Sequence, residues 1–166
     1  GTVTGYRTPT VNVSDGNGGV GKQQLAIFEM RGDNHATQLF EFMANPGVTT
    51  NVEWTHAKIG TESSERNIVG TSHNQSSTSV GGYLIGTGYS LREVNHNHPS
   101  GAPLPSGGDM QNVGRYTGAH PNVKLNIYVP SSGYSSYNAK GTLDSRVTKM
   151  PDGSYILPDG RHVKIR

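Results

Sequence analysis

The segment His96-Asn97-His98-Pro99-Ser100-Gly101, followed by Ser106 and Asp109, brings two imidazoles, a hydroxyl and a carboxylate into one short stretch of chain. Read as a strand over 90–98, it puts His96 and His98 on one face, because side chains two apart in an extended chain point the same way. Both imidazoles can then converge on one ion, and Asp109, carried by the helix that follows, can supply a third ligand. Three protein ligands leave the fourth position of a tetrahedral zinc site open, which is the arrangement of catalytic rather than structural zinc. Metal-assisted hydrolysis is the chemistry such a set supports. The same stretch also has a plainer reading. Pro99, Ser100, Gly101, Pro103, Pro105, Gly107 and Gly108 are turn formers, and Ser106 three residues before Asp109 has the spacing of a helix N-cap with an acidic first turn. Capping does not account for two histidines at strand spacing, however, and a capped helix is itself a rigid mount for Asp109.

The surrounding sequence supplies elements that could hold these groups. Residues 1–24 are expected to form a flexible, Gly-rich lead-in with one edge strand at Thr10–Val13, and residues 25–166 the functional domain. Leu25–Met30 is apolar enough for a core strand. Asp33 or Asn34 can cap a helix running to Asn45, with Ala36, Leu39, Phe40 and Met43 as its buried stripe and Pro46-Gly47 ending it. Strands are expected at Val52–Ile59, Arg66–Ser72, Ser90–His98 and Lys124–Val129, and a second helix from Ser106 to about Thr117. Tyr155–Leu157 and His162–Ile165 read as a hairpin around Pro158-Asp159-Gly160. The stretch between Gly60 and Ser90 is polar and then glycine-interrupted, and receives no element after residue 72. Strands interleaved with helices indicate an α/β fold, a mixed sheet flanked by helices in a single domain.

With its residues laid out, the motif resembles that of the JAMM (JAB/MPN+) metalloproteases, in which His-x-His is followed, after seven intervening residues, by Ser-x-x-Asp. Asn95–Gly101 with Pro105-Ser106 is closest to the bacterial branches, RadC-type domains among them. The resemblance implies a cytidine-deaminase-like architecture and Zn2+ held by His96, His98 and Asp109. It also implies Ser106 as hydrogen-bond donor to the reacting oxyanion, and an upstream glutamate as general acid and base.

That glutamate must be chosen from six. In the family it opens a strand that closes on a glycine seven residues later, just after the first helix. Glu53, with Gly60, fits, and it shares its strand face with Thr55, Ala57 and Ile59, neighbours that leave room for water beside a metal. Glu93 lies three residues before His96 and so faces the other side of a regular strand. Glu41 sits on the helix away from the apolar stripe, Glu62 and Glu65 flank a Ser-rich turn, and Glu29 lacks the trailing glycine. His56 is the scattered histidine of most interest because it follows Glu53; His35, His73, His120 and His162 read as surface or packed imidazoles.

Composition narrows the classes further. The chain has 166 residues, 31% of them hydrophobic, with 23 glycines, which implies a loop-rich structure around one compact core. The absence of cysteine removes thiolate zinc sites, so a metal must be held by His and carboxylate. A net charge of +2 without a basic cluster gives no argument for nucleic acid, and no apolar run reaches membrane-spanning length. Gly16–Lys22 has P-loop glycine and lysine spacing, but Gln23 stands where a magnesium-binding Ser or Thr is required. Three classes stay open. One is a metallopeptidase or isopeptidase, with the Gly/Ser/Thr-rich character suggesting the JAB-like toxin modules of bacterial polymorphic toxins. Its partners would be a protein or peptide substrate, ubiquitin-like proteins included, and an immunity protein; as a toxin it would be a secreted or delivered effector, and otherwise cytoplasmic. The others are a RadC-type, DNA-associated domain and a non-catalytic binding module of the same fold.

Overall fold

The computed structural model pairs eight of the chain's strands into one large sheet, with a three-stranded and a two-stranded sheet beside it. It describes residues 2–14, 19–45, 47, 51–74 and 79–164. In chain order the strands begin with β1 (Thr2–Arg7), β2 (Thr10–Ser14), β3 (Val20–Gln24) and β4 (Ala26–Arg31), and helix α1 (Asp33–Met43) follows. Then come β5 (Trp54–Ile59), β6 (Arg66–Thr71), α2 (Val80–Gly86), β7 (Leu91–Asn97), α3 (Gly107–Ala119) and β8 (Lys124–Val129). The remaining strands are β9 (Gly133–Asn138), β10 (Gly141–Thr142), β11 (Thr148–Lys149), β12 (Tyr155–Ile156) and β13 (His162–Val163).

The main sheet has the order β1-β4-β6-β5-β7-β8-β9-β10. Its neighbours run antiparallel except β7 and β8, which are parallel. A parallel pair needs a crossover, and α3 provides it. This places the start of α3 beside the end of β7, where a βα unit brings side chains from both elements together. The expected α/β fold, a mixed sheet with flanking helices, is the fold observed.

Side-chain alternation along β5 assigns the two faces. Trp54 packs with Ala36, Phe40, Val69 and Met30 beneath α1. Ala57 and Ile59 point the other way, into a cluster with Leu25, Ile27, Ile68, Val80, Leu84, Val94 and Val113 under α2 and α3. Phe40, fully buried, is the largest side chain of the α1 stripe, and its burial contributes about 2–3 kcal/mol.

Several local expectations are corrected. α1 is capped by Gly32 at φ 93, without a side-chain bond; Asp33 is the first helical residue and pairs with Arg92 instead. The glycine-rich stretch before Ser90 contains α2. Gly81 sits there because a Cβ would overlap the Tyr116 hydroxyl across the α2–α3 contact. Residues 2–24, expected as a lead-in, carry β1, which pairs with β4, and the β2–β3 hairpin. The first half of the Gly16–Lys22 segment lies outside the described residues; Val20–Lys22 belongs to β3. Among the described residues no helix is long and apolar enough to cross a membrane.

Candidate metal centre

Strand β7 aims His96 at the α2/α3 face, the face that also receives Val94, while Asn95 and Asn97 point to the other. His98 lies just past the strand end, and its amide donates to the carbonyl of Tyr128 in β8 at 3.3 Å, which prolongs the parallel pairing and holds the second imidazole in line. The helix end opposite is fixed by a capping box. The Asp109 amide donates to Ser106 Oγ at 3.1 Å, and the Ser106 amide donates to Asp109 Oδ2 at 2.8 Å. The cap expected from the Ser-x-x-Asp spacing is present, and it holds the Asp109 carboxylate against the two histidines.

The three groups meet in a tight triangle. His96 Nε2 lies 3.0 Å from His98 Nε2 and 3.1 Å from Asp109 Oδ1, and His98 Nε2 lies 3.0 Å from Asp109 Oδ2. Tetrahedral zinc with bonds of ~2.0–2.1 Å separates its ligands by about 3.3–3.4 Å. The observed separations, two of which run to different oxygens of Asp109, are shorter than this by a few tenths of an ångström, and imidazole and carboxylate are the donor types zinc takes in a protein without cysteine, so the residues present suit the ion. The other nitrogen of His98, Nδ1, stands 2.8 Å from the carbonyl of Ala102, which fixes that nitrogen as the N–H and leaves Nε2 free to ligate.

Glu53 enters the same space from the start of β5. Its carboxylate oxygen and the nitrogens of His96 and His98 all lie within 4.8 Å of one another. Its backbone is held on every side: the Glu53 amide donates to Asn74 O at 2.8 Å, and Thr71 Oγ1 donates to Glu53 O at 2.7 Å. The Trp54 amide donates to Asn97 Oδ1 at 2.6 Å, and Asn97 Nδ2 donates to Val52 O at 3.2 Å. The residue between the two histidines thus braces the chain on both sides of Glu53 from the opposite face of β7. The strand begins at Trp54, two residues later than the expected start at Val52, and closes on Gly60 at φ 68.

Burial pushes the Glu53 carboxyl up to about 7, with a further rise from the Asp109 charge and an opposing pull from His98. For Asp109, burial alone would raise the pKa, but its bonds to His96 and His98 prevail and hold it well below the carboxylate range. Burial would likewise lower His98, and the bond to Asp109 outweighs it, so that imidazole is raised. Two carboxylates thus share one pocket with opposite proton affinities.

A cleft of about 110 Å³ opens onto these groups, lined also by Thr55, Tyr116 and Tyr137. The Thr55 hydroxyl is buried and has no hydrogen-bond partner among the described residues, leaving it available to whatever occupies the cleft. A larger depression of about 550 Å³ is lined by Asp33, Lys58, Arg92 and Glu93, and these four charges pair with one another, Lys58 to Glu93 at 3.2 Å and Arg92 to Asp33 at 3.1 Å. Chemistry rather than size selects the smaller cleft.

Of the five residues singled out in the sequence, Glu53, His96, Ser106 and Asp109 line this cleft, and His98 joins them through its contacts with His96 and Asp109. Glu93 faces away, as its position three residues before His96 implies. His56 does not join the site; it is fully buried on the α1 face, bonded to Asn67 and Asn95. Tyr116 was open to discovery as the residue seven after Asp109, on the same side of α3. Tyr137 comes from β9, and nothing in the local sequence marks it. Comparison with curated proteins finds no match. Residues 28–114, which include Glu53, His96, His98, Ser106 and Asp109 and make up just over half of the sequence, match the model of JAB-like toxin 1, and the chain belongs to that family.

Proposed function

We propose that this toxin domain of JAB type is a zinc-dependent peptidase or isopeptidase that hydrolyses an amide bond in a protein or peptide. The observation that carries the reading is the triangle of His96 Nε2, His98 Nε2 and the Asp109 carboxylate, with edges of 3.0–3.1 Å. These three residues hold the metal. When bound, zinc supplies Lewis acidity, polarising the amide carbonyl and bringing the acidity of water to a pKa of about 7. Glu53, a buried carboxylate beside His96 and His98, takes the proton of the attacking water and delivers it to the amine nitrogen as the C–N bond breaks. Ser106 Oγ accepts from the Asp109 amide, so its own hydrogen is free to donate to the carbonyl oxygen as that atom gains charge. As a toxin domain, it would have an immunity protein as a further partner.

Metal analysis of protein purified without added zinc, followed by zinc titration, tests the reading. About one zinc per chain is expected, with occupancy reduced in His98→Ala and Asp109→Ala because each leaves two ligands. Zinc-replete protein without bound metal would sink the proposal.

A further inference from the structure

The loop from His98 to Ser106 joins two ligands, and its conformation decides whether they converge. It turns at Gly101, at φ 81, where the Gly101 amide donates to His98 O at 2.9 Å. One residue on, Ala102 O receives His98 Nδ1 at 2.8 Å. The outer side of this turn is held from far along the chain. Arg161 Nη2 donates to Gly101 O at 2.7 Å, sixty residues away in sequence.

Arg161 is itself placed by an exposed turn of the small three-stranded β11–β13 sheet. Its Nε donates to Asp159 Oδ2 at 2.6 Å and its amide to Asp159 Oδ1 at 3.0 Å. The Leu157 amide donates to Arg161 O at 2.9 Å, closing the turn between β12 and β13, and the Leu157 side chain is 2% exposed. This unit lies outside the residues 28–114 that match the family model.

We infer that the β11–β13 unit is a clasp for the metal centre, with Arg161 as a positioning residue that acts through Gly101 and Ala102 on His98. A partner one step behind a ligand fixes which ring nitrogen carries the proton and how the ring is aimed, and loss of such partners weakens metal affinity. Here the carbonyl that orients His98 belongs to a glycine-hinged turn, and the Arg161 bond keeps that turn closed.

The inference rests on the metal reading above, and the test separates the two. Zinc affinity is measured by competition with a chromogenic chelator for the full chain, Arg161→Met and Asp159→Asn, and thermal unfolding is recorded for each with metal removed. Arg161→Met keeps the aliphatic stem and loses the donors. It is expected to bind zinc roughly tenfold more weakly, while its metal-free unfolding midpoint stays near that of the parent. Asp159→Asn, which only loosens the buttress, is expected to show a smaller loss in the same direction. Zinc affinity unchanged in Arg161→Met overturns the clasp and leaves the metal centre standing; so does a loss of metal-free stability with affinity unchanged. A parent chain that binds no zinc overturns both.

Discussion

Strands β5 and β7 bury polar side chains on both of their faces, and the two sets behave differently. On the α1 face, His56 Nε2 meets Asn67 Oδ1 at 2.8 Å and His56 Nδ1 meets Asn95 Nδ2 at 3.3 Å. Asn126 Nδ2 donates to Asn95 Oδ1 at 2.8 Å, and Ser136 Oγ donates to Asn126 Oδ1 at 2.5 Å. Donor meets acceptor at each step, so the row crosses the sheet with its groups satisfied by one another, while Trp54 Nε1 beside it on this face lacks a partner among the described residues. On the α2/α3 face, two imidazole nitrogens abut at 3.0 Å, the Thr55 hydroxyl lacks a partner among the described residues, and Glu53 is pushed toward its neutral form. A buried polar set that completes itself is scaffold. One that cannot complete itself without an added ion or water is a socket, and folding accepts its cost because a ligand offsets it.

Substitution of Glu53 should separate the faces most sharply. Glu53→Gln keeps size and hydrogen bonding but ends proton transfer, so turnover of a cleavable peptide is expected to fall about a hundredfold or more, with zinc content near that of the parent. Ser106→Ala should cost a similar order in rate through loss of one oxyanion donor. Because Ser106 also caps α3, it should lower stability by ~1 kcal/mol as well. Glu93→Gln is the control on the scaffold face. If that variant were inactive while Glu53→Gln turned over normally, the assignment of the base would be overturned.

The same Glu53→Gln variant should be more stable than the parent when metal is removed. The Glu53 pKa is raised from 4.5 to about 7, so the folded state disfavours the ionised form, and the penalty is fully present above about pH 7 and gone below 4.5. The shift corresponds to on the order of 3 kcal/mol at pH 8. Chemical denaturation at pH 8 and at pH 4 measures it, and a gain equal at both values would refute the burial argument. On the scaffold face the sign reverses. Asn67→Ala leaves the fully buried His56 without its acceptor and should destabilise by about 1–3 kcal/mol, with zinc affinity unaltered.

The socket was more legible in the sequence than the scaffold. His96, His98, Ser106 and Asp109 sit within one βα unit, where strand alternation and helix capping are local rules, and Glu53 follows from the glutamate-to-glycine spacing that the family resemblance implies. What escaped depends on distant partners. α2 is a helix despite Gly81, Gly82 and Gly86 because Gly81 lets Tyr116 approach, a tertiary gain that outweighs poor helix propensity. β9 reads as polar, Gly133-Tyr134-Ser135-Ser136-Tyr137-Asn138, yet buries Ser135 and Tyr137 by pairing with β8. The Asn67–His56–Asn95–Asn126 row joins four strands and leaves no pattern along any one of them.

The smallest expected effect is also the one that sets the two faces directly against each other, through the pH dependence of stability in metal-free protein. His56 is depressed below its ordinary 6.5 by burial, which outweighs the bond to Asn67. The folded state prefers it neutral, so its contribution is complete above pH 6.5 and is lost as pH falls toward the lower folded value. His98 is raised, its bond to Asp109 overcoming burial. The folded state prefers it charged, so its contribution is complete below 6.5 and is lost as pH rises through the higher folded value. Unfolding free energies of the parent, His56→Gln and His98→Gln, measured in chelator between pH 5 and 8, should therefore give difference curves of opposite slope. The parent's advantage over His56→Gln should grow with pH, and its advantage over His98→Gln should shrink. Two curves of the same slope would mean that these faces do not divide into a neutral scaffold and a charge-hungry socket.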